Sequence, residues 1–378
     1  MKRVFALVLA LTLLATAVAL AEDSVKVGVI APETGKVSVY GIAVRDAVKL
    51  YTDEFNAAGG INGKPVELIV YDDKGDPVEA LNAYNKLVYE DQVAAIIGPV
   101  TSGPTFGVAE TSVADGIPCL TPTATHPDVT TYGDNYFRAC FEDPFQGGTI
   151  AKFAAAELSA KTAAIIYNAA DAYSTGLMES FTAAAEEAGM EVVATEGYAT
   201  SDVDFKAQLT NIAGKAPDVL FIPDYYNTCY LIASQSRELG IASTFLGVDG
   251  TDGVLSIEGA NYDVFEGLYF PNHYAADDTA EAVVNFRTAY EAAYGETPNA
   301  LAALAYDGAK IMFDALKNVD ASGVALGTDS YAAVVEALKA TNIDGVTGNI
   351  TFDENNNPVK DVAIIKIENG AYKFYSKY

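Results

Sequence analysis

Hydroxyl and carboxylate side chains gather at a few strand-to-helix junctions of this 378-residue chain, and their types suit the recognition of charge more than the breaking of bonds. After the apolar run VAAIIG (93–98) comes Pro99-Val100-Thr101-Ser102-Gly103-Pro104, leading into a helical pattern. Ser102 and Thr105 therefore stand where free backbone N–H groups and the positive end of a helix dipole favour an anion such as a carboxylate. Plain N-capping by Ser102 accounts for the same pattern. After IPCLT (117–121) follows Pro122-Thr123-Ala124-Thr125-His126-Pro127, a second hydroxyl-rich junction that a capped turn would also explain. Further on, Asp171 precedes Ala172-Tyr173-Ser174, Asp224 precedes Tyr225-Tyr226, and Asp249 precedes Gly250. An Asp before Gly is ordinarily a turn residue. Facing a carboxylate site, it could instead hold an ammonium group. Tyr40, beyond the first strand, could complete such a pocket, although with 23 Tyr in the chain no single ring is diagnostic.

Catalysis finds little material. His126 and His273 are the only histidines, and three Cys complete a poor supply for a zinc site or a histidine-based triad. No P-loop, G-x-S-x-G elbow or H-E-x-x-H pattern occurs. The acidic turns YDDKGDP and FDENNNP lack EF-hand spacing. With 23 Lys plus Arg against 51 Asp plus Glu, the formal charge is −28, which argues against a nucleic-acid or anionic-membrane partner. No catalytic residue, metal or cofactor is expected.

The elements that must position these junctions alternate regularly. Strand patterns at 25–31, 66–71, 93–98 and 117–121 are separated by helical patterns near 41–57, 77–90 and 104–115. A second series starts after about residue 143, with strands at 163–167, 190–195, 218–223 and 244–248 and helices near 174–188, 204–213 and 227–239. After 264–270 come helical stretches near 280–294, 299–318 and 329–341, then two strand-like runs, VKDVAIIKI and YKFYSK. The reading is α/β, with two doubly wound lobes of open parallel sheet. In such sheets ligands bind beyond the carboxyl ends of the strands, where the junctions lie. Cys119 and Cys140 fall on predicted strands and could pair if those strands are neighbours; burial as small apolar residues explains them as well.

Lys2 and Arg3 precede an apolar run to Leu20 that closes on Ala19-Leu20-Ala21, the pattern of a secretory signal peptide (1–21) cut after Ala21. An exported, soluble product is expected.

The runs TGKVSVYGIAVRDAVKLYTDEFNAAGGINGKPVELIVYDDKGDP, VAAIIGPVTSGPT and GIPCLTPTATHPDVT resemble the periplasmic branched-chain amino-acid (Leu/Ile/Val)-binding proteins of ABC importers, which are type I solute-binding proteins. The likeness continues through DAYSTG, FLGVDG and AYDGAK. It implies that Ser102 and Thr125 bind a ligand α-carboxylate, with Thr125 also near the ammonium. Thr123 would offer a backbone carbonyl to the ammonium, and Ala124 lies in the same binding loop. Asp249 would neutralise the ammonium, and Tyr40, Tyr173 and Tyr225 would surround the ligand. Asn299-Ala300-Leu301-Ala302 is smaller than the aromatic residues some members place near the side-chain pocket, which leaves room for a bulkier or aromatic amino acid. The cysteine pair of some members is replaced by Gly75 and Thr101. The resemblance further implies a hinge of three crossings near residues 142, 272 and 350. Lobe one would hold 24–142 and 273–350, and lobe two 143–272 and 351–378. A monomeric periplasmic protein that closes on an amino acid and delivers it to an inner-membrane ABC permease complex is expected. The alternatives are a ligand-sensing subunit for a receptor, and a site for an aromatic acid or amide.

Overall fold

The structure, a computed structural model, describes residues 24–378, so the predicted leader and its cut after Ala21 lie outside the described residues. Two open sheets organise the chain. The first holds β1 (Val25–Ala31), β2 (Val66–Asp72), β3 (Ala95–Ile97), β4 (Cys119–Thr121) and β5 (Tyr136–Arg138), in the order β2-β1-β3-β4-β5. All its pairings are parallel. The short strands β3, β4 and β5 are buried along their whole length, as expected for a sheet covered on both faces.

The second sheet contains β6 (Thr162–Asn168), β7 (Glu191–Tyr198), β8 (Val219–Phe221), β9 (Thr244–Leu246) and β10 (Tyr269–Asn272). Between β10 and the end of the chain come a two-stranded ribbon, β11 (Asn342–Gly345) with β12 (Gly348–Thr351), and the strands β13 (Ala363–Glu368) and β14 (Ala371–Lys377). The second sheet runs β14-β13-β10-β9-β8-β6-β7. Its β6 to β10 segment repeats the strand order of the first sheet. The two closing strands depart from the expected all-parallel arrangement: β13 pairs antiparallel with both β10 and β14. The two-residue turn at Asn369-Gly370 leaves no room for a crossover, so β13 and β14 can only form a hairpin. The β11–β12 ribbon, outside both sheets, gives no signal in the apolar pattern because Ile343 and Ile350 are the only large apolar residues of its strands.

Helices cover both sheets. α1 (Ser38–Ala57) buries Tyr40, Val44, Val48, Thr52 and Phe55, a three- and four-residue spacing that makes one buried stripe. The predicted helix at 77–90 is an α-helix α2 (Pro77–Asn85) followed by a π-helical turn, Lys86–Asp91. α3 (Ser102–Asp115), α4 (Asp143–Ala156), α5 (Ala172–Glu187), α6 (Lys206–Ala213) and α7 (Tyr226–Glu238) follow. The chain then adds α8 (Glu281–Tyr294), α9 (Ala300–Ala321) and α10 (Tyr331–Lys339). One buried apolar cluster, from Val27 and Val44 to Phe245 and Phe270, extends through both halves; two more cover the remaining sheet faces. The chain passes between the sheets three times, at residues 139–142, 273–280 and 352–362. Among the described residues no helix is long and apolar enough to cross a membrane.

All three cysteines are free and buried. β4 and β5 are indeed neighbours, but their register sets Cys119 opposite Tyr136. Cys140 lies four residues further along, roughly 13 Å at the rise of a strand, beyond disulfide reach.

Candidate ligand-binding site

Strand order determines where a crevice opens. In the first sheet β1 lies between β2 and β3, and in the second β6 lies between β7 and β8. Crossover helices on either side of such a switch go to opposite faces and leave the strand ends uncovered. The loops after β1 and β3 bring Tyr40 and Ser102 to this place, and those after β6 and β8 bring Tyr173 and Tyr225. The next strands out, β4 and β9, deliver Thr123, Thr125 and Asp249. These seven residues line a single cavity, together with Val100, Thr101, Gly250 and Leu301. Ala124 is buried behind that surface, its N–H donated to Thr121 Oγ1 at 3.0 Å and its carbonyl turned to Arg138.

The wall from the first sheet is made of neutral donors. Ser102 is the first residue of α3, and no side chain caps that helix. Its Oγ accepts from the His126 N–H at 3.4 Å instead of from the helix. The capping explanation for Ser102 therefore does not hold, and the first N–H groups of α3 remain free of side-chain partners. Thr123 donates its hydroxyl to the Val100 carbonyl at 2.5 Å, which fixes one turn against the other. Thr125 is buried, with its carbonyl accepting from the Asp143 N–H at 3.0 Å. His126 lies outside the cavity with its ring edge-on to Phe106.

The wall from the second sheet is built around one carboxylate. Asp249 Oδ1 accepts from Tyr173 Oη at 2.6 Å, Gln146 Nε2 at 3.0 Å and the Gly250 N–H at 2.9 Å. Its Oδ2 faces His273 Nε2 at 3.4 Å. A carboxylate has only lone pairs to offer, so Nε2 carries the imidazole proton in that contact. Burial depresses His273 to about 4, so the ring is neutral and the contact is a hydrogen bond, not an ion pair. Its Nδ1 is left buried without a partner, as a bare acceptor is in that tautomer. Asp143 is fully buried beside this group; desolvation first, then the Asp249 charge, push its carboxyl up to about 8. Of the other acids, Asp171 caps α5 through the Ser174 N–H at 3.2 Å. Asp224 accepts from the Tyr198 hydroxyl and the Tyr225 N–H and fixes Tyr225 from behind.

Tyr173 and Tyr225 stack with centroids 4.8 Å apart and planes 4° from parallel, and Tyr40 meets Tyr225 edge-on. The Tyr40 hydroxyl donates to the Gly250 carbonyl and accepts from the Tyr226 N–H at 3.1 Å. One phenol thus fastens α1 to two loops of the other sheet. Gly250 is required here: a Cβ would lie 2.6 Å from Tyr173 Oη and 2.9 Å from the Asp224 carbonyl. Gln146 and His273 are the partners that sequence reasoning missed. Gln146 projects from the first turn of α4 and His273 from the second crossing, and neither stands in a pattern that marks it. The lining holds no Lys, Arg or His, and among the described residues no cluster of acids, His or Cys could hold a metal ion.

A family model described as periplasmic binding protein matches residues 24–371. The Leu/Ile/Val-binding protein BraC3 of Rhizobium johnstonii is 36% identical over 246 residues, which span 63% of this chain and 66% of that one. The Leu/Ile/Val-binding protein homolog 3 of Brucella melitensis is 30% identical over 340 residues, 87% of each chain. Among solved structures, the branched-chain amino acid transporter substrate-binding protein LivJ of Streptococcus pneumoniae, in complex with isoleucine, superposes with a TM-score of 0.86. It is 32% identical, and the match covers 94% of this chain and 98% of that one. With one parallel strand order repeated in two sheets, three crossings and a cavity between them, this chain belongs to the periplasmic binding protein family.

Proposed function

We propose that this protein is the solute-binding component of an ABC importer, and that it captures an L-amino acid with a branched-chain or larger hydrophobic side chain. The observation that carries the reading is the opposition of Asp249 to the uncapped start of α3 and the Ser102 and Thr125 hydroxyls across one cavity. An α-amino acid is positive at one end and negative at the other, with an apolar group beside them. Asp249 is suited to the ammonium, Ser102 and Thr125 to the carboxylate, and Leu301 with the tyrosines to the side chain. Thr123 and Ala124 belong to the loop that shapes the carboxylate wall.

In this proposal residues 24–142 with 273–350, and 143–272 with 351–378, move as two bodies about the three crossings. A zwitterion touches both walls only when they are together, so its differential contact with the closed form shifts the population. The role needs no chemistry on the ligand. It implies export, with the leader removed after Ala21, residence in the periplasm as a monomer, and a membrane permease that recognises the closed form. Names of relatives that bind leucine, isoleucine and valine support the ligand class.

The test is a thermal-shift panel of the twenty amino acids followed by calorimetry, since a ligand that binds only the folded state raises the melting temperature. A submicromolar hydrophobic amino acid is the expected result. Tight binding of an aromatic acid or amide, with no amino acid bound, would replace the amino-acid reading.

A further inference from the structure

Arg138 is the largest fully buried side chain among the described residues, and no amino-acid contact in the site uses it. It ends β5, beside β4, whose following loop carries Thr123 and Thr125. Its guanidinium donates to the carbonyls of Ala124 at 3.2 Å, His126 at 2.9 Å and Pro127 at 2.9 Å, and to the Thr130 hydroxyl at 3.3 Å. The carboxylate nearest to pairing with it is Glu142, 3.9 Å away and one-third exposed. A buried guanidinium is usually met by a close, bidentate carboxylate. Here it is met by the oxygens of one loop.

Two consequences bear on the cavity. The carbonyls of Ala124 and His126 flank Thr125, and that of Thr125 itself is taken by the Asp143 N–H. Oxygens that would repel an anion are thereby engaged on the far side of the loop, while Thr125 lines the cavity. The second consequence is electrostatic. The cavity lining has no cation of its own, and a full positive charge sits one loop behind the wall, in a setting where water screens little.

We propose that Arg138 is a positioning residue that makes the Pro122–Thr130 loop receptive to a carboxylate, by holding its carbonyls away from the cavity and by supplying positive charge from behind. The inference rests on the amino-acid reading above. It is tested with L-leucine and L-leucinamide, the amide measured by competition, on the wild type and on Arg138→Gln, Arg138→Lys and Glu142→Gln. The readout is the preference for leucine over its amide, which a purely structural role would not move.

Arg138→Gln is expected to shrink that preference at least about tenfold, the size of a lost charge-assisted contact. Arg138→Lys keeps the charge and is expected to retain most of the preference while lowering the melting temperature. Glu142→Gln removes the nearby negative charge from a part-exposed position and is expected to raise the preference. Should Arg138→Gln not fold, the other two variants decide. Equal losses for both probes in Arg138→Gln, a preference lost in Arg138→Lys, or an unchanged preference in Glu142→Gln would overturn the proposal. A wild type that binds no amino acid of the thermal-shift panel would instead remove the amino-acid reading, and this inference with it.

Discussion

The two walls of the cavity solve opposite electrostatic problems by opposite means. The wall from the second sheet places a formal charge at the surface, and Asp249 is held by Tyr173, Gln146 and its own Gly250 N–H before any ligand arrives. The wall from the first sheet places no formal charge at the surface and relies on hydroxyls and the start of α3. A buried carboxylate without partners would cost several kcal/mol, so the acidic wall must be satisfied in advance. Neutral donors can wait beside water at little cost. The lesson is that the walls should differ in what a mutation does: the acidic wall should show discrimination between ligands, and the neutral wall should show graded loss.

Asp249→Ala is the harshest way to break the comparison. It should weaken L-leucine binding by about 2–5 kcal/mol, because the ammonium is then buried without its acceptor. A carboxylate lacking an amine, such as 4-methylpentanoate, should be affected far less. Calorimetry with both ligands checks this, and equal losses would show that Asp249 does not meet the ammonium.

Tyr40 tests what joins the walls. Tyr40→Phe leaves the Gly250 carbonyl and the Tyr226 N–H without their shared partner. A cost of about 1–3 kcal/mol in affinity is expected, the penalty for buried polar groups left unpaired. It should fall on every ligand alike and appear mainly as faster dissociation in stopped-flow fluorescence. A loss confined to one ligand would place the Tyr40 hydroxyl on the ligand instead.

The acidic wall also predicts a pH dependence of folding. Asp143 keeps its proton to about 8 in the folded protein, whereas an unfolded Asp releases it near 4. The folded state therefore binds the extra proton across this window, and stability must fall as pH rises toward 8. His273 acts the other way. Its depressed value near 4 raises stability between about pH 4 and 6.5 and contributes nothing above that. Asp73 and Asp224, pushed up to about 7 chiefly by burial, add to the decline at lower pH. Between pH 7 and 8 the Asp143 contribution, at most about 1.4 kcal/mol per pH unit, should dominate. Urea titrations of Asp143→Asn should show that slope flattened, and an unchanged slope would exclude Asp143 as its source.

Much of this organisation was legible in the residues, for reasons that are local. Continuous apolar runs such as VKVGVIA and AAIIY specify strands buried on both faces, and the stripe Val44, Val48, Phe55 specifies α1. The junctions followed because they are where strand patterns stop. What escaped detection depends on contacts distant in sequence. Gln146 meets Asp249 across 103 positions, and His273 reaches it only because the second crossing stacks its ring on Phe141 of the first. In the run YFRACF Arg138 is a single charge among apolar neighbours, and nothing there says that it would be spent on loop carbonyls. The antiparallel β13–β14 hairpin was missed because a strand's direction is set by the length of its connection, not by its own composition.

Ser102 offers the mildest test and the sharpest for the neutral wall. If its hydroxyl capped α3, Ser102→Ala would cost about 1 kcal/mol of stability in the empty protein. The hydroxyl makes no such bond, since its one contact is a 3.4 Å approach from the His126 N–H. The empty variant should therefore melt within about a degree of the wild type, as a change within ±0.5 kcal/mol does in a chain of this size. Affinity for L-leucine should still drop by about 0.5–1.5 kcal/mol, the net worth of one hydrogen bond. The amide, which places a weaker acceptor at the same wall, should lose less. A lowered melting temperature with unchanged affinity would reverse the assignment and make Ser102 a helix cap after all.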